Sequence, residues 1–212
     1  MQRAAKPFFL KVFSNGCRHI AVCLVVSITL GGCAWFQTGP KIGAAEVGGF
    51  AVKGRMAVRH GDDGFTSNFL WQHAPKRDEI DLWGPIGQGH SRFVDADGQI
   101  SVTAANGDVF HDSNADAAMH RWLGFSLPID ALTHWVRGER APGYAVAAAT
   151  ADAAGDLVVL DQLAWRLEYS DYRATIGGAR VPGRIVATSG DVRVTLLPSD
   201  WAFGPGAVFD TP

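Results

Sequence analysis

The 212-residue chain is poor in cysteine, and two of its three, Cys17 and Cys23, fall in the first 32 residues. Cys33 is then without a partner, so no disulfide framework is available to hold the fold. Long apolar runs are also missing. The run Ile20–Leu30 has 11 residues, against roughly 20 for a helix that crosses a bilayer. No excess of positive charge marks the body. The first 32 residues carry Arg3, Lys6, Lys11 and Arg18 and no acid, which leaves 15 basic against 21 acidic residues in the rest. A mildly acidic body excludes nucleic acid as the default partner, because a phosphate backbone needs a basic footprint. Catalytic patterns are absent too: no His-Glu-x-x-His, no Gly-x-Ser-x-Gly elbow and no glycine-rich phosphate loop. The histidines outside the leader (His60, His73, His90, His111, His120 and His134) show no zinc spacing. Asp62-Asp63 and Asp95/Asp97 stand beside glycine, where aspartate serves the turn. No catalytic residue, metal or cofactor is expected.

What is present begins with the leader. Arg3 to His19 is basic and precedes the short apolar run, the order of a secretory signal. Leu30-Gly31-Gly32-Cys33 resembles the bacterial lipobox. The resemblance implies cleavage before Cys33, diacylation of its thiol and acylation of the new amine. Two or more acyl chains anchor stably where one is marginal. Ala34 follows, not the aspartate that marks inner-membrane retention in enteric-type bacteria, so the resemblance implies the outer membrane. We therefore expect a signal peptide at 1–32, an acylated cysteine and tether at 33–49, a folded body at 50–203 and a tail at 204–212.

From Phe50 the chain reads as short alternating runs: 50–59, 65–72, 79–83, a run starting at 91, 99–104 and 108–111. Turns at Gly61–Gly64, Asp95–Gly98 and Asn106-Gly107 separate several of them, as in an antiparallel meander. The period then changes. Ala115, Ala118, Met119, Trp122 and Leu123 share a helical face, with Ser113 as the expected N-cap and Gly124 as a stop. A second short helix is expected from Pro128 to Gly138, with Ile129, Leu132 and Trp135 or Val136 on one face. Residues 140–156 read as an irregular, alanine-rich connection that leaves a strand or a helical turn open. Strand patterns return at 157–160, 163–169, 184–188 and 192–197, and the tail after Trp201 reads as frayed. The order is strands, two helices, then strands, with the helices as cover for one face of a long sheet.

Trp71, Trp83, Trp122, Trp135, Trp165 and Trp201 are spread over nearly every element. A tryptophan-rich core and a cavity with broad, stiff apolar walls fit that distribution equally. The segment Trp83–Gly89 is a loop by its Gly and Pro content yet carries Ile86 at its middle. Ile86 either folds back on the sheet or serves as an exposed probe for lipid.

These residues bring a family into view. Phe50-x-x-x-Gly54-Arg55, Phe69-Leu-Trp71-Gln72, Gly84-Pro85-Ile86-Gly87, Gly124-Phe-Ser-Leu-Pro128, Leu132-Thr-His-Trp135-Val-Arg-Gly138, Trp165-Arg-Leu-Glu-Tyr169 and Asp200-Trp201 follow in order behind the lipobox. Together they resemble the LolB family of outer-membrane lipoproteins. The resemblance implies a mainly β fold, an incomplete antiparallel β-barrel whose hydrophobic hollow is covered by helices. It also implies binding without catalysis. Acylated lipoproteins would be taken from the periplasmic carrier LolA and inserted into the outer membrane, with no nucleotide consumed. By position, Pro85, Ile86 and Gly87 would form the membrane-insertion loop, with isoleucine where the family usually has leucine. The acyl-chain cavity is expected to involve Trp71, Trp83, Met119, Trp122, Leu132, Trp135 and Trp165. The implied partners are LolA, the acyl chains of cargo and outer-membrane lipid, with the protein itself a monomer. A structural lipoprotein with a filled core is the competing reading.

Overall fold

The computed structural model describes residues 48–176, 178–204 and 206–210. Cys33, the leader and nearly all of the expected tether lie outside them. Six strands come first: β1 (Phe50–His60), β2 (Asp63–Ala74), β3 (Arg77–Trp83), β4 (Ser91–Ala96), β5 (Gln99–Thr103) and β6 (Val109–Asp112). Each pairs antiparallel with the next. Helices α1 (Ala115–Leu123) and α2 (Ile129–Trp135) follow. Then come β7 (Val146–Ala151), β8 (Leu157–Gln162), β9 (Trp165–Ser170), the short pair β10 (Arg173–Ala174) and β11 (Arg180–Val181), β12 (Arg184–Ser189) and β13 (Val192–Phe203).

The pairing of β1 with β13 joins both halves into one 11-stranded sheet, β6-β5-β4-β3-β2-β1-β13-β12-β9-β8-β7. Its edges, β6 and β7, do not meet, so the barrel is incomplete, as the family resemblance implies. Alternation drives the burial. In β9, Trp165, Leu167 and Tyr169 are buried and Arg166, Glu168 and Ser170 are exposed, the period-two pattern of a sheet with one covered face. The covering helices are set by local signals. The Asn114 side chain accepts from the Ala117 N–H at 2.8 Å, and Gly124 ends α1 at φ 84°. The cap is thus Asn114 rather than Ser113, because Asp112 Oδ1 accepts from the N–H groups of both Ser113 and Asn114 and holds that turn outside the helix. α2 ends at Trp135, and a tight turn carries the chain to Gly138 at φ 76°.

Three further readings need correction. The alanine-rich connection contains β7, an exposed edge strand with register breaks near both ends. Alanine has weak strand preference, and a strand exposed on both faces shows no alternation. Leu163 and Ala164 are a two-residue turn between β8 and β9, not the start of a strand, with φ of 54° and 61°. No Asn or Gly marks it. The tail is not frayed over the described residues: the Gly204 N–H donates to Gly49 O at 3.1 Å, Ala207 is buried, and Lys53 Nζ sits 4.8 Å from the centre of the Phe209 ring.

Gly54 occupies a break in the β1–β13 register. A methyl group there would run into Leu197 O and lie 2.9 Å from Pro198 Cα. Both are backbone atoms of a central strand and cannot swing aside. Gly54→Ala is expected to cost about 1–3 kcal/mol through overpacking, visible as a lower thermal midpoint. An unchanged midpoint would show that β13 yields more easily than its central place suggests.

Candidate functional site: an apolar hollow and an isoleucine-tipped loop

Side chains from both halves of the sheet and from both helices converge on one hollow. Met56, Phe69, Trp71, Ile80 and Leu82 wall it from β1–β3, and Leu167, Ile185, Val194 and Leu196 from β9, β12 and β13. Met119, Trp122 and Leu123 of α1 and Leu132 and Trp135 of α2 close it from the other side, with Val136 and Leu127 beside them. Every lining residue is apolar. The volume of the hollow is about 70 Å³.

Tryptophan brings a polar N–H to any wall it joins, and two of the three here are turned to partners. The Trp71 Nε1–H donates to Asp78 Oδ1 at 2.7 Å, an oxygen also 2.9 Å from His73 Nδ1. The Trp135 Nε1–H donates to Gln162 Oε1 at 2.9 Å. These bonds leave ring carbons to face the hollow. Gln162 does more than satisfy one indole. Its Oε1 also accepts from the Ala141 N–H at 3.0 Å, and its Nε2 donates to the carbonyls of Ala141 at 2.8 Å and Tyr144 at 3.1 Å. One buried amide therefore clasps α2, the segment after it and β8 together. Gln162→Leu would strand several buried polar groups, each worth about 1–3 kcal/mol. We expect a loss of several degrees in thermal midpoint and faster amide exchange at Ala141. Wild-type exchange there would mean the clasp holds nothing.

The loop after β3 is a built turn. The Gly87 N–H donates to Gly84 O at 2.9 Å and the Gly84 N–H to Gln88 O at 2.7 Å. The Ile86 N–H donates to Gln88 Oε1 at 3.2 Å. Pro85 fits the second position of such a turn, and Gly87 supplies φ 82° at the fourth. The root is fixed by the Ser67 hydroxyl donating to Trp83 O at 2.9 Å, and the far end by His90 Nε2, 2.8 Å from buried Asp81 Oδ1. Ile86 stands 88% exposed on this support. It does not fold back onto the sheet.

Of the residues expected at the cavity, Trp71, Met119, Trp122, Leu132 and Trp135 line it. Trp83 does not. Next to Leu82 on β3, it points to the opposite face, in a surface cleft with Lys53, Arg55 and Leu197. Trp165 shares the inner face of β9 and is buried in the core, yet it does not line the hollow. Sequence reasoning missed Met56, Phe69, Ile80 and Leu82, which strand parity with Trp71 identifies. It also missed Gln162 and Asp78, for which a lone polar residue in a strand offers no signal. Among the described residues no group of three or more His, Cys, Asp or Glu side chains is placed to hold a metal ion. None of the described helices is long and apolar enough to cross a membrane.

A half-open antiparallel shell and two covering helices enclose a hollow without a polar wall, a lining that suits apolar groups. The family model described as outer membrane lipoprotein LolB matches residues 49–201, and the chain belongs to that family. It is 33% identical over 153 residues to the outer-membrane lipoprotein LolB of Azoarcus sp., covering 72% of this chain and 77% of that one. It is 29% identical over 198 residues to the LolB of Pseudomonas fluorescens, covering 87% and 95%. Among solved structures it is similar to a DUF1329 family protein from Desulfovibrio piger, with TM-score 0.51 and 10% identity over 77% of this chain and 88% of that one, a likeness of fold alone. Membership places the protein among outer-membrane lipoproteins that act in lipoprotein localisation, and not among enzymes.

Proposed function

We propose that this protein is the outer-membrane acceptor of lipoprotein sorting: it receives the acyl chains of cargo from a LolA-type carrier and releases them into the membrane without nucleotide. The observation that carries the reading is the wholly apolar hollow between sheet and helices. The physical need is large. Burying one CH₂ is worth about 0.8 kcal/mol, so exposing a chain of about fifteen costs roughly 12 kcal/mol. That is about nine powers of ten in equilibrium, and cargo carries three chains. Passage from one hollow to another avoids the exposure.

A void of about 70 Å³ is room for a few water molecules. That is less than one acyl chain, so the cover opens for cargo. α1 is the element that gives way. It leans on β5 and β6, with Trp122 stacked on Phe93 at 5.7 Å and Arg121 over the Phe110 ring at 4.3 Å. α2 is clasped through Gln162. Acylation of Cys33 anchors the shell. The 15 residues from Cys33 to Gly48 reach at most roughly 50 Å. Ile86 lies beyond Trp83, which pairs through Asn68 to Arg55, five residues along β1 from Phe50. At about 3.4 Å per residue the tether is long enough for the Ile86 loop to meet the bilayer.

The small void supports the competing reading of a filled scaffold, and one assay separates the two. Acceptor mixed with carrier loaded with acylated cargo, in the absence of nucleotide, is expected to take the cargo and pass it to outer-membrane vesicles. Cargo that stays on the carrier would leave the scaffold reading.

A further inference from the structure

The turn that displays Ile86 is built four times among the described residues. The same pair of backbone bonds, and a glycine at φ between 82° and 88°, recur at Ala104–Asp108, Asp152–Asp156 and Thr175–Ala179. Two of these sister turns carry small or polar residues at the tip: Ala105 and Asn106 in one, Ala153 and Ala154 in the other. The turn itself therefore asks for no hydrophobe. The fourth, between β10 and β11, carries Ile176, which is fully exposed at 108% and the most exposed large hydrophobe among the described residues.

Strand directions place the two isoleucines apart. β3 runs the same way as β1, so Ile86 lies toward the end where β1 finishes. The β10–β11 hairpin follows β9, which runs the opposite way, so Ile176 lies toward the end where β1 begins. That is where the chain arrives from Cys33. Arg173 ties the hairpin beside β13 by donating to the carbonyls of Pro198 and Ser199, and Ser199 Oγ donates to Lys53 O on β1. The hairpin thus stands one strand away from the entry of the tether. The hairpin's own stretch, Tyr172 to Gly190, carries Arg173, Arg180 and Arg184 but no acid, although Asp171 precedes it and Asp156 lies against Arg180. Arg180 pairs with Asp156, while Arg173 and Arg184 form no ion pair among the described residues.

We infer that the Ile176 turn is a second lipid-surface contact, at the anchor end of the shell, with Ile176 in the headgroup–acyl boundary and Arg173 and Arg184 over anionic headgroups. The inference rests on the anchored reading above, but not on Ile86. With the strands upright on a bilayer one end meets it, and with the strands laid along it both do.

Mature acylated protein bearing one added cysteine tests this, since the Cys33 sulfur is blocked by its acyl group. Bimane is attached at Ala179→Cys beside Ile176, at Ala154→Cys on the sister turn of the same end, or at Ala105→Cys beside the Ile86 loop. Quenching by nitroxide lipid in phosphatidylethanolamine–phosphatidylglycerol vesicles is then read. We expect strong quenching at 179, weaker at 154, and loss of the signal at 179 when Ile176→Asn is added. No quenching at 179, equal quenching with and without Ile176→Asn, or shielding at 179 that needs the loaded carrier would each overturn the inference. Quenching at 105 with none at 179 overturns this contact while the Ile86 reading stands. Quenching at neither position removes both.

Discussion

Replacing Ile86 with glutamate is expected to leave uptake of cargo intact and to slow delivery into the outer membrane a few hundredfold. The two steps separate because the residue belongs to a different part of the molecule from the hollow. Ile86 is 88% exposed and lines no part of the cavity, so its charge does not alter the wall that receives acyl chains. The turn beneath is held by backbone bonds and by Gln88, Ser67 and His90, none of which needs an isoleucine, so the loop keeps its shape. At a lipid surface the exchange matters. An aliphatic residue gains a few tenths of a kcal/mol on entering lipid and a charged one loses about 3, which is a few hundredfold in occupancy of the inserted pose. The measurement follows cargo from loaded carrier to acceptor, then from acceptor to outer-membrane vesicles. Delivery at the wild-type rate would remove Ile86 from the mechanism. Ile86→Leu serves as the matched control and is expected to deliver normally.

Leu132→Glu is expected to do the reverse, lowering cargo binding about a hundredfold while the fold survives. Leu132 projects from α2 into the wall of the hollow but is half-buried, so a glutamate there keeps a route to water when the hollow is empty. Cargo removes that route. An acyl chain packed over a carboxylate strips its hydration with no donor in the wall to replace it, a penalty of several kcal/mol before relaxation. Leu132→Met, similar in volume and apolar, is expected to bind as wild type. Binding is read with loaded carrier as the donor, and integrity by circular dichroism and thermal midpoint. A glutamate variant that folds and binds normally would show that cargo lies elsewhere.

Much of this architecture is legible in the chain. Asn106-Gly107 and Asp97-Gly98 mark turns by their chemistry, and Trp165–Ser170 alternates so cleanly that one face must be covered. The helices announce themselves through the change of period at Ala115 and the glycine stop at Gly124. What stays hidden has physical causes. β7 lies at a free edge, exposed on both faces, so alanine shows no pattern there. The Leu163–Ala164 turn takes left-handed backbone without Asn or Gly, which propensity reasoning cannot anticipate. Of the candidate site, the tryptophans of β2, α1 and α2, to which periodicity and the family resemblance together point, line the hollow. Trp83 is misplaced because it lies one residue beyond Leu82, and in a strand one residue changes the face. Gln162 is invisible beforehand because its value depends on three partners that are distant in sequence.

The account turns on acyl chains occupying the space between sheet and helices. Cargo lipoprotein carrying a photoactivatable group in its acyl chains, passed from a LolA-type carrier to the mature protein and irradiated, reports that position directly once the adducts are mapped. The account predicts adducts on Met56, Phe69, Leu132 and Leu167, residues that line the hollow from four different elements. Adducts confined to the opposite face, around Trp83 and Leu197, would contradict it.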